Sequence, residues 1–124
     1  MIRKEIKSFG HAFRGIGVAL ASETHLKIHV GVLFLVVAFG IWLQISTTEW
    51  LICLICFGGV ISAELFNTAI ESVVNLVSPE IHPLAGKAKD VAAGAVLVSA
   101  ISAAIVGLII FIPKLYTFVL KLII

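Results

Sequence analysis

Glu64, Asn67, Glu71 and Asn75 follow one another at intervals of three, four and four residues in the stretch AELFNTAIESVVNLVSPE, residues 63–80. At about 100° per residue of α-helix they fall within an arc of roughly 80°, so they form one polar stripe. Carboxylates and an amide oxygen on one face are hard donors, suited to Mg²⁺ rather than zinc. The stripe continues directly from the apolar run WLICLICFGGVIS, residues 50–62, which carries Glu64 into apolar surroundings. A carboxylate at such a depth is expensive to keep and usually functional. It is also a group that can take a proton from an alcohol.

The rest of the chain says what must position these groups. Of 124 residues, 60% are hydrophobic and only 13% charged, with mean hydropathy +1.17. A soluble domain carries roughly twice that share of charge, so this is an integral membrane protein and a single domain. The fold class is all-α. Three stretches are long enough to cross about 30 Å of hydrocarbon: about 26–45, 48–76 and 88–112, the last with its apolar part from Val91 to Ile112. Pro113 is expected to close the third helix. The tail 113–124 is too short to be a further span, so it either lies at the interface or extends the third helix past a kink. Over 1–22, Ile2, Ile6, Phe9, Phe13, Ile16 and Leu20 make one apolar helical stripe, with Arg3, Lys4, Lys7 and Arg14 around it. A basic amphipathic helix of this kind lies in the membrane surface. No cleavable leader is visible, because this segment is amphipathic rather than apolar.

Lys and Arg set the orientation. Five precede or open the first span, up to Lys27, and the loop before the third span carries Lys87 and Lys89, whereas STTE between the first two spans has none. The positive-inside rule puts the N-terminus and the second loop in the cytoplasm. Lys114 and Lys121 then fall outside, against the trend. With this topology Glu23, Glu71, Lys89 and Asp90 reach one plane at the cytoplasmic edge, and Glu64 lies deeper. Lys87 and Lys89 can meet phosphate charge, as can Arg14. Metal donors, cations and a base at the bilayer edge fit phosphoryl transfer to a lipid hydroxyl.

Other features read as packing or anchorage. Cys53 and Cys56 lie in an apolar run and serve as small buried residues rather than as a redox or metal pair. Thr68 and Ser72 read as packing residues, His25 and His29 as interfacial, and Glu49 with Trp50 as an outer-face anchor. No GxxxxGK[ST] loop or kinase glycine loop is present, so any nucleotide site is built from helix side chains. A net charge of +2 without a basic-aromatic pattern argues against nucleic acid. A small proton carrier or transporter subunit usually holds its carboxylate near the midplane, without a Lys-Asp pair and second carboxylate at the interface. A purely structural subunit has no need of Glu64, Asn67 and Glu71 on one arc.

The segments AELFNTAIESVV and SPEIHPLAGKAKDVAAGAV, with SFGHAFRGIGVALASETHLKIH before them, resemble the small prokaryotic diacylglycerol kinase family over about residues 5–112. The wording HPLAGKAKDVAAGAVLVSA looks most like its undecaprenol kinase branch. The resemblance implies a homotrimer of three-span subunits with a surface helix in the bacterial inner membrane, transferring phosphate from MgATP to a lipid alcohol. Undecaprenol is the favoured acceptor and diacylglycerol the alternative. It implies Glu64 as the catalytic carboxylate, Glu23 and Glu71 as metal holders, and Asn67 beside them. It further implies nucleotide contacts from Glu80, His82, Lys89 and Asp90, and from Lys4 and His11 in the more variable N-terminal region. Asn75 stands where the family commonly has aspartate, and an amide there keeps hydrogen bonds without charge.

Overall fold

The computed structural model describes all 124 residues, as four helices and no strand. They are α1 (Ile2–Ser22), α2 (Thr24–Trp42), α3 (Thr47–Val77) and α4 (Pro83–Ile123). The last three are each long and apolar enough to cross a membrane. They alternate in direction, so the start of α2, the end of α3 and the start of α4 share one end of the bundle.

Local chemistry explains each boundary. Between α1 and α2 only Glu23 leaves helical geometry, with φ −102° and ψ 113°, while its N–H still donates to Ala19 O at 2.8 Å. That single extended residue turns the surface helix into the first span. At the far end α2 closes in a Schellman arrangement: Ile45 N–H donates to Gly40 O and Gln44 N–H to Ile41 O, with Gln44 at φ 53°. A capping box opens α3, Glu49 N–H donating to Ser46 Oγ and Ser46 N–H to Glu49 Oε1, each at 3.2 Å. His82 caps α4 through Nδ1, which accepts from Leu84 N–H at 3.1 Å, and Pro83 takes the first helical position, where no N–H is needed.

Pro113 does not close the third span. The helix runs through it to Ile123, and Thr117 Oγ1 donates to Pro113 O at 2.9 Å. A proline forfeits one ladder bond, that to the carbonyl of Ile109, but it sits near the end of the apolar span rather than at its middle. The tail is thereby held against α2, with the Phe118 and Trp42 rings edge to face at 4.7 Å between centroids. The 41 residues of α4 make a rod of about 62 Å, well beyond the hydrocarbon thickness.

The small core lies at the end of the bundle opposite the shared one: Ile45, Cys53 and Ile110, with Val36, Trp50, Val106 and Phe111 packed against them. Gly40 makes room for it, since a Cβ there would lie 2.5 Å from the Trp50 ring. Cys53 is thus a packing residue, and neither cysteine is in a disulfide. Lys114, one of the two lysines that ran against the orientation rule, is paired with Glu49 at 3.1 Å, so its charge is offset. Only 9 of 124 residues are buried, which leaves most of the apolar surface for lipid or for other subunits.

Candidate active site

Along α3 the polar stripe occupies the half nearer the shared end, and its members differ sharply in surroundings. Glu64 is 4% exposed, the one buried charged residue of the chain. Its Oε1 lies 3.1 Å from His29 Nε2, which comes from α2. One turn further on, Asn67 Nδ2 donates to Glu71 Oε1 at 3.3 Å, both groups being half-buried. Asn67 Oδ1 and Thr68 Oγ1 are buried and have no hydrogen-bond partner. Asn75, at the end of the stripe, is exposed.

Beyond Glu64, the sequence-derived site residues fall into four groups. Glu80, His82 and Lys89 line a cleft of about 220 Å³ with Asn75, Ser78 and Gly86, where the α3–α4 loop folds over the start of α4. His82 spends Nδ1 on the helix cap, so its Nε2 is the nitrogen left to meet a ligand. His11 lines a second cavity, of about 650 Å³, between α1 and α3, together with Arg14, Leu65 and Thr68. Asn67 and Glu71 are joined by their hydrogen bond. Glu23 is half-buried at the α1–α2 junction, Asp90 is exposed beside Lys89, and Lys4 is exposed on α1; none of their side chains is paired within the chain.

For a hard cation, Glu71 offers a carboxylate and Asn67 an unpartnered buried oxygen, with Glu23 at the same end of the bundle. That donor chemistry fits Mg²⁺, which usually takes one or two carboxylates and completes its shell with water and phosphate. No three His, Cys, Asp or Glu side chains come together as a closed metal cage.

His29 is the residue that sequence reasoning passed over by reading it as interfacial. A signal existed in the depths. His29 follows Glu23 by six residues and Glu64 precedes Glu71 by seven, so each lies about 9–11 Å further into the membrane than its partner at the edge.

A surface helix, three spans, and a carboxylate held in hydrocarbon beside oxygen donors and a lysine-lined cleft define a polytopic membrane enzyme acting at the bilayer edge. The chain belongs to the prokaryotic diacylglycerol kinase family, whose model matches residues 10–111, and it is a lipid kinase. It is 44% identical over 114 residues to the undecaprenol kinase of Bacillus subtilis, covering 92% of this chain and 93% of that protein. It is 41% identical over 111 residues to a diacylglycerol kinase of Synechocystis, covering 87% of this chain and 62% of that one. Over 100 residues it is 31% identical to the diacylglycerol kinase of Escherichia coli K12, covering 81% and 82%. The matched segment contains every site residue named above except Lys4, and it ends before Pro113.

Proposed function

We propose that this kinase transfers the γ-phosphate of MgATP to the hydroxyl of undecaprenol, giving undecaprenyl phosphate and ADP at the cytoplasmic face of the inner membrane. The observation that carries the chemistry is Glu64, buried on the stripe at a depth that a lipid headgroup can reach from the bilayer. The choice of acceptor rests on the relative from Bacillus subtilis. Diacylglycerol is the second reading, favoured by the names of the relatives from Synechocystis and Escherichia coli.

The lipid hydroxyl enters sideways and meets the Glu64 carboxylate, which accepts its proton as the oxygen attacks the γ-phosphorus. The new O–P bond forms as the bond to the bridging oxygen of ADP breaks, and the proton later leaves Glu64 to water. The phosphates are received by Lys89 and His82 in the interfacial cleft, with Glu80 and Asp90 at the nucleotide, and His11 and Lys4 contribute from the surface helix. Glu71, Asn67 and Glu23 would hold Mg²⁺, which when bound neutralises phosphate charge. Catalysis is then mostly positioning and charge compensation.

Homotrimeric assembly belongs to the same reading. It is supported by the small buried core and by the large apolar residues left exposed on all three spans. The small residues of α4, from Ala92 to Ala104, allow another helix to approach closely.

The test is transfer from labelled MgATP by the purified protein in mixed micelles, with undecaprenol and diacylglycerol at equal surface concentration. Preference for undecaprenol is expected. Preference for diacylglycerol replaces the acceptor, and transfer to neither overturns the reading.

A further inference from the structure

We propose that His29 is a positioning residue for Glu64: its Nε2–H donates to Oε1 and turns the second carboxylate oxygen, Oε2, toward the lipid hydroxyl. This rests on the reading of Glu64 as the base.

Three observations carry it. First, the Nε2–Oε1 separation of 3.1 Å is that of an ordinary hydrogen bond, and no other side chain is paired with Glu64. Second, the two residues come from different spans, His29 from α2 and Glu64 from α3. A glutamate has three side-chain torsions, and one bond from a neighbouring helix fixes the carboxylate where a bond from its own helix could follow it into other rotamers. Third, His29 reaches into an apolar chamber of about 280 Å³ between the three spans, walled by Val32, Cys56, Phe57, Val60 and Ala103. That chamber offers the imidazole no carboxylate or amide to compete with Glu64.

The physical need is clear. A buried carboxylate without a donor is strongly disfavoured, and one whose two oxygens are both tied up is a poor base. An imidazole N–H satisfies one oxygen and, being a single donor, engages only that one. It therefore orients the group and leaves the other oxygen free. Misplacement of a reacting group by about 1 Å can lower a rate by about 100-fold.

The full-length protein in mixed micelles tests this. His29→Ala is expected to lower kcat by about 10- to 100-fold, with KM for lipid and for MgATP changed less than about twofold. His29→Gln, whose amide nitrogen can occupy the Nε2 position, is expected to recover most of kcat, whereas the shorter His29→Asn is not. Glu64→Gln is expected to be inactive, and the double variant with His29→Ala equally so. Wild-type kcat in His29→Ala, or equal activity in the Gln and Asn variants, overturns the positioning role while leaving Glu64 as base. If His29→Ala does not fold, the Gln–Asn comparison decides alone. Turnover by Glu64→Gln overturns the base assignment, and the positioning role with it.

Discussion

Asn67 spends its amide nitrogen on Glu71 Oε1 at 3.3 Å and keeps its amide oxygen buried and unpartnered. The two residues are one helical turn apart, so the bond needs no tertiary help and holds the Glu71 carboxylate beside the free Asn67 oxygen. A buried acceptor without a donor is destabilising unless something else meets it. A cation would meet it, and so would a phosphate-bound water.

Loss of charge at this pair should therefore appear in the metal dependence. Glu71→Gln is expected to raise the Mg²⁺ concentration for half-maximal activity about tenfold or more, and Asn67→Ala to raise it less. Titration of activity against Mg²⁺ at saturating ATP checks this. Coincident curves for wild type and Glu71→Gln would remove Glu71 from the metal site.

Lys89 lies in the cleft with Glu80 and His82, where the α3–α4 loop folds over the start of α4. Its ammonium should serve the nucleotide and not the lipid. Lys89→Ala is expected to raise KM for MgATP about tenfold while KM for lipid stays within about twofold, in keeping with the loss of one charge-assisted hydrogen bond. A change confined to the lipid KM would place Lys89 elsewhere in the mechanism.

At the opposite end, Ser46, Glu49 and Lys114 link the start of α3 to α4. Ser46→Ala should destabilise the protein by about 1 kcal/mol through loss of the cap. Lys114→Met should do so by less than about 1 kcal/mol, because the pair is partly exposed. Thermal unfolding in detergent, read by circular dichroism, ranks the two, and neither variant should change kcat.

Gln44 occupies a left-handed position at φ 53° where glycine is the usual occupant. Gln44→Gly is expected to stabilise the protein by up to about 1 kcal/mol, because the side chain adds strain at this φ and the residue is exposed. The same unfolding experiment checks it, and a lower Tm would show that the Gln44 side chain makes a favourable contact that outweighs the strain.

Much of this molecule is legible in the amino-acid order alone. Three spans follow from hydropathy, since a bilayer admits only long apolar helices when no barrel is present. The polar stripe of α3 follows from the helical period, as does the Asn67–Glu71 bond between adjacent turns. Pro113 illustrates the limit within a single helix. Proline carries a propensity to stop, but the packing of Phe118 on Trp42 and the Thr117 bond to the Pro113 carbonyl favour continuation.

Between helices the order of residues is silent. Nothing local to His29 distinguishes it from His25, one turn earlier, yet His29 meets Glu64 and His25 is exposed. The choice depends on the rotation of α2 against α3, which is set by the sum of many weak packing contacts along both helices. The same holds for the cleft at Lys89, whose walls come from α3, the loop and α4 together. Sequence alone determined which groups reach the same end of the bundle, because length and polarity set depth in a membrane. The tertiary structure decided which of them touch, because hydrogen bonds between helices require a rotation and register that depth leaves open.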